Sequence, residues 1–202
     1  MHPMCPEIRI MVQSEKRQKI LHATLEMIAE HGFHGAPIAD IADRAGVGAG
    51  TIYCYFTTKD ILITELFQQL NEKIYTRLLE GYEANKPHRE RFIHLSTSLL
   101  HYFVANPLEL RFLEQYLSSP YSILFWQNLS QGIGESGLFL YRRLFEEAVA
   151  LKIMKDLSLN IFFALAFGPL LAMAREHILG FIVLDEVLIT KTIKACWDAV
   201  KR

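Results

Sequence analysis

The chain has 202 residues, 51% of them hydrophobic, and its 21 Lys and Arg against 22 Asp and Glu leave a formal net charge of −1. That length gives one or two small domains with a real core, and the apolar excess suggests a dimer, a pocket or both. Near-neutrality excludes a global attraction to nucleic acid, so any such contact must be placed locally.

Met1 to Ser14 carries Pro3 and Pro6, and Arg9 interrupts its short apolar run, so it lacks the continuous core of a secretory signal. Residues 1–15 are expected to be a flexible arm, with Met11 an alternative natural start. Ile20, Ala23, Thr24, Met27 and Ile28 then make the stripe of a first helix that His31-Gly32 ends. Lys16, Arg17 and Lys19 open that helix, and a solvated end and a DNA contact are equally good readings of them.

Ala36-Pro37 starts a second, short helix without a capping hydroxyl. Ile38, Ile41, Ala42 and Ala45 give it an apolar face, while Asp40, Asp43 and Arg44 stay wet. Gly46 stops it, because the residue past a helix often needs a left-handed backbone that glycine adopts without a Cβ penalty. A third helix begins near Gly48 or Ala49. Ile52 and Phe56 share its buried face at i and i+4, and Thr51, Tyr53, Cys54 and Tyr55 spread over its outside. The result is a three-helix core with a helix-turn-helix over residues 16–59.

A long fourth helix is expected near Asp60 to Glu83. Beyond it the apolar periodicity stays helical, with breaks at Lys86-Pro87, Asn106-Pro107, Ser118-Ser119-Pro120, Gly132 to Gly137 and Lys155 to Ser158. Residues 60–202 therefore read as one helical domain, and the fold class is all-α. Phe92, Leu95, Leu99 and Phe103 form one stripe. His94, Ser98 and His101 share another face, either solvated or supplying a pocket's polar groups. With Phe103, Phe112, Tyr116, Phe125 and Trp126 they make the candidate ligand-binding set, each aromatic also suiting plain core. Ile161 to Ala174 is almost wholly apolar, but fourteen residues with a Gly168-Pro169 break are too short and kinked for a membrane span, so the stretch reads as core with a partner. A last helix runs from Asp185 to Val200 and carries Trp197.

Gly32-Phe33, Ile41-Ala42, Ala45-Gly46-Val47, Gly50-Thr51-Ile52-Tyr53, Tyr55-Phe56 and Lys59 match, in order and spacing, the N-terminal domain of the tetracycline-repressor (TetR) family of bacterial transcription regulators. The chain resembles that family specifically over residues 16 to 66 and architecturally beyond. The resemblance implies that Tyr53, Tyr55 and Lys59 grip phosphates of a double-stranded operator, Lys59 at the start of a helix capped by Thr57 or Thr58. It also implies that Gly50 lets the backbone approach, and that Ala49, Thr51 and Cys54, beside Gly48, face the major groove. It further implies a cytoplasmic homodimer through helices at about 137–151 and 158–179, responsive to a small hydrophobic or aromatic effector and most simply a repressor, with activation the alternative. Two positions depart from the family: Gly48 replaces a usual Ser or Thr, and Ala49 an often basic residue.

Other classes find little support. Gly46, Gly48 and Gly50 follow no β-branched strand, so they are no nucleotide loop. Neither Glu-x-x-His nor His-Glu-x-x-His occurs, which argues against a helical metal enzyme despite eight histidines. Cys5, Cys54 and Cys196 form no Cys-x-x-Cys, and they indicate neither a disulfide scaffold nor a zinc site. No Gly-x-Ser-x-Gly or Gly-Lys-Ser/Thr appears either, so no catalytic residue, metal or cofactor is assigned.

Overall fold

The computed structural model describes residues 6–132 and 137–202, and side chains from Ser14 onward. Among these residues the chain is helical, with a single isolated bridge between Met154 and Lys201. The helices are α1 (Pro6–His31), α2 (Ile38–Ala45), α3 (Ala49–Tyr55), α4 (Lys59–Leu79), α5 (His88–Ala105), α6 (Pro107–Leu117), α7 (Ile123–Gln131), α8 (Gly137–Ala150), α9 (Leu159–Ala166), α10 (Gly168–Ile178) and α11 (Glu186–Val200). A 3-10 turn, Pro120–Ser122, precedes α7. Part of the expected arm, from Pro6 on, has helical backbone continuous with α1. The break expected from Gly132 to Gly137 falls partly on residues 133–136, outside the described residues.

The chain divides into two compact units. The first takes in the chain through Gln69 together with Arg111–Tyr121, and the second is Leu70–Leu110 with Ser122–Arg202. The sequence had placed 60–69 and 111–121 with the larger domain. The physical reason for the difference is aromatic packing. Phe67 stacks on Tyr116 at 3.7 Å between centroids, and Phe33 meets Phe112 and Tyr121 at 6.5 and 5.0 Å. Gln115 Nε2 also donates at 2.8 Å to the Ile28 carbonyl, which accepts the Gly32 N–H as well. Ile20, Leu21 and Ile28 of α1, Ile41 of α2, Ile52 of α3, Phe56 and Leu62 complete this core, all essentially inaccessible. Each such side chain contributes about 1.5–3 kcal/mol by leaving water.

In the second unit α5 packs against α8, α10 and α11. The predicted stripe Phe92, Leu95, Leu99 and Phe103 is its buried face. Phe92 lies 5.5 Å from the ring of Trp197 and edge-on to Tyr141, whose hydroxyl donates to Ser96 Oγ at 3.2 Å. Arg91, only 7% exposed, donates to Tyr82 Oη at 2.8 Å and to Glu147 Oε2 at 2.7 Å. Burial opposes its charge, yet those two bonds hold its pKa above the ordinary arginine value.

The apolar stretch Leu159–Ile178 has a mean hydropathy of 1.4, long and apolar enough to cross a membrane by composition alone. Phe167 divides it into α9 and α10, with Pro169 in the first turn of the latter. The expected continuous helix 158–179 is thus two helices. Nor is the stretch buried all round: Phe162, Phe163, Ala166, Leu170 and Ala174 face the core, while Ile161 and Leu165 are exposed.

Candidate nucleic-acid interface

The turn between α2 and α3 follows from local chemistry. Pro37 is extended and offers no side-chain cap, as the absence of a hydroxyl there predicts. Gly46 is left-handed at φ 66, and its N–H, with that of Val47 bonding Ala42 O at 3.0 Å, closes the end of α2. Gly48 then opens α3 in extended backbone without a side-chain cap. Ile52 and Phe56 are fully buried, and they fix which face of α3 points outward.

That outward face is made of the predicted residues. Gly48, Ala49, Gly50 and Cys54 are exposed, Tyr53 is 54% exposed, and Thr51 and Tyr55 are half-buried. Cys54 Sγ donates back to the Gly50 carbonyl at 3.3 Å. Gly48 is at φ −72, and Gly50 lies within a helix without positive φ. A methyl built on Gly50 meets nothing within 4 Å, and one on Gly48 reaches only Thr51 Oγ1 at 3.9 Å. The fold would accept alanine at both. Glycine in the middle of a helix costs about 0.5–1 kcal/mol relative to alanine; Gly50, in the first turn of α3, meets no neighbour that would require the absence of a Cβ.

Thr58 Oγ1 accepts from Ile61 N at 3.2 Å, so Thr58 is the capping threonine of α4. Lys59 is the first residue of that helix, but its Nζ donates to Phe33 O at 2.7 Å. Partial burial pushes its pKa below the usual lysine value, with Asp60 acting the other way. One of its three donors therefore ties α4 to the end of α1, a role the sequence did not reveal, and two remain for an anion.

The other basic side chains are less free than their positions suggest. Arg17 pairs with Glu65 and lies 5.3 Å over the Phe56 ring, Arg44 pairs with Glu30 at 2.7 Å, and Lys19 with Glu15 at 2.7 Å. Lys16, Lys19, His22 and Arg44 line an open groove of about 510 Å³ shared with Glu26 and Asp43. His22 is the member that sequence reasoning missed, since a lone exposed histidine carries no pattern.

The candidate ligand residues are dispersed. Phe112 and Tyr116 belong to the core of the first unit. In the second, Phe103 is fully buried against Tyr102, and Phe125 and Trp126 form an edge contact that continues from Trp126 to Phe163. His101 lies 3.4 Å from Glu186, and Ser98 is half-buried. His94 Nε2 is 3.2 Å from Leu78 O and lines a cavity of about 190 Å³ with Tyr82, Lys86 and Arg91. A second cavity of about 210 Å³ is lined by Tyr75, Phe139, Leu140, Arg142 and Arg143, none of which the sequence singled out. Among the described residues no group of three His, Cys, Asp or Glu could hold a metal ion.

Residues 20–66 match the family described as bacterial regulatory proteins, tetR family, and residues 87–201 match the tetracyclin repressor-like C-terminal domain. An uncharacterised HTH-type transcriptional regulator of Haemophilus influenzae is 24% identical over 94% of this chain and 98% of its own length. The crystal structure of a TetR family transcription regulator from Marinobacter aquaeolei VT8 superposes with a TM-score of 0.82 at 21% identity, covering 93% of this chain and 96% of that one. The transcriptional regulator FadR of Bacillus subtilis, in complex with stearoyl-CoA, superposes at 0.65 with 20% identity, covering 89% and 95%.

Proposed function

This chain belongs to the tetR family of bacterial regulatory proteins and is a helix-turn-helix transcriptional regulator, not an enzyme; on that footing we propose that it is a cytoplasmic homodimeric repressor that leaves a palindromic operator when a hydrophobic effector binds. The observation that carries the DNA half of the reading is the outer face of α3, where Gly50 is retained in a helix that has open room for alanine. Tyr53 and Tyr55 hold phosphates beside it, and Lys59 uses the donors left over from Phe33 O. These contacts position the protein, while Ala49, Thr51 and Cys54 meet the base edges.

Dimerisation is supported by exposed apolar side chains in the second unit: Ile161 and Leu165 on α9, then Leu179, Phe181, Val183 and Val187 before and into α11. The outer positions of α8 are instead charged, with Arg143, Glu146 and Glu147 exposed, so its share in the proposed interface is polar. Two copies place their α3 helices about one DNA turn apart, which requires a near-palindromic operator. Effector class is supported by the stearoyl-CoA complex of the Bacillus subtilis regulator. The effector releases DNA by binding the non-operator conformation more tightly.

Selection from a randomised duplex library at moderate salt tests the reading. A palindromic motif whose complex dissociates on adding a long-chain acyl thioester or a flat aromatic compound is the expected result. Enrichment of no sequence by a folded dimer would overturn it.

A further inference from the structure

From Val47 to Phe56 the chain has no Arg, Lys, Asn, Gln, Asp or Glu. Those are the side chains that recognise a base pair through its hydrogen-bonding edge, Arg or Lys on guanine and Asn or Gln on adenine. Of the basic groups nearest α3, Arg17 is paired with Glu65 and Arg44 with Glu30, while Lys59 gives one donor to Phe33 O and keeps the others for a phosphate. The Cys54 thiol, though exposed, donates to its own helix at the Gly50 carbonyl.

What α3 presents outward at its start is a methyl group. Ala49 is exposed between Gly48 and Gly50, and neither neighbour has a side chain to screen it or to hold a base at a distance. Thr51 adds a second methyl and one hydroxyl, a single polar atom without the forked geometry of an amide or a guanidinium. In the major groove the apolar feature that a base pair offers is the C5-methyl of thymine, and Ala and Thr are among the side chains that pack on it.

Resting on the reading of α3 as the DNA-contacting helix, we propose that Ala49 and Thr51 are the specificity-determining residues and that they read thymine through its methyl group, so the half-site carries thymine where those two residues face it. Affinity comes from phosphates and specificity from shape-matched methyl contacts, without a purine-reading side chain on the helix.

The experiment replaces each thymine of the selected duplex by deoxyuridine, which removes only the methyl, and measures affinity by fluorescence anisotropy. Binding about four-fold weaker at one or two symmetric positions is expected, the effect of exposing one buried methyl. That penalty disappears in Ala49→Gly or Thr51→Ser, the latter keeping the hydroxyl. The substitution is on the DNA, so a poorly folding variant does not decide the test. Deoxyuridine tolerated at every position would overturn methyl readout while leaving the regulator reading intact. Failure to enrich any duplex would remove the reading of α3 as the DNA-contacting helix, and methyl readout with it.

Discussion

Replacing Gly50 by alanine separates what the fold wants from what the DNA wants. The added methyl meets no atom within 4 Å, and the backbone is helical without positive φ. Alanine lowers the entropy penalty of a helical glycine, and because Gly50 is the second residue of α3 the gain is at most about 1 kcal/mol of stability, a rise of at most about 4 °C in Tm for a chain of this size. On DNA the same methyl occupies the space into which the duplex closes. Overpacking of a close-fitting contact costs about 1–3 kcal/mol, which weakens operator binding by roughly five- to 150-fold. Thermal unfolding and anisotropy titration of one preparation give both numbers. A variant that is more stable and binds unchanged would refute the close approach, and one that is less stable would refute the account of open space around Gly50.

Tyr53→Phe and Lys59→Ala should weaken binding to all sequences alike and lower the salt slope by about one unit per lost phosphate contact, whereas Thr51→Ala should change the preferred sequence; a shift in sequence preference from all three would sink the division of roles. Lys59→Ala should in addition cost about 1 kcal/mol of stability by releasing Phe33 O, a loss that Tyr53→Phe does not share. Burial pushes the Tyr116 phenol up to about 12, and burial with the bond to Asp60 does the same for Tyr121. Since the folded values exceed the ordinary value of 10.0, their contribution is complete below pH 10 and is lost as pH rises towards 12. Ultraviolet difference titration against unfolding should show that window, and unchanged stability across it would contradict the packing. Phe181, 73% exposed, should when changed to Lys convert a dimer to monomer in sedimentation, while a dimer of undiminished affinity would place the interface elsewhere.

Legibility in the sequence followed the range of the interaction. Gly46, Ile52 and Phe56 were readable because a left-handed stop and an i, i+4 pair are settled within a few residues. Partners far along the chain were not: Arg17 with Glu65, Lys59 with Phe33 O and Gln115 with Ile28 O are 48, 26 and 87 residues apart. For the same reason Phe112 and Tyr116 were grouped with a pocket, although Phe33 and Phe67 draw them into the first unit. The stripe on α5 gave its buried face without saying which helices cover it. Around α9 and α10, composition announced an apolar segment and Gly168-Pro169 its break, but which side stays exposed depended on the packing of Phe162 against Phe145.

The most direct test of α3 as the DNA-contacting surface uses the cysteine it already carries. Cys54 is exposed on that face, whereas Cys196 is buried and its thiol pKa is pushed up to about 11, so alkylation by iodoacetamide followed by peptide mass analysis reads the two separately. With saturating selected duplex, the rate at Cys54 should fall at least about ten-fold, the equivalent of some 1.4 kcal/mol of protection, while Cys196 stays slow with or without DNA. An unchanged rate at Cys54 in a complex known to be formed would mean that the DNA lies on another face.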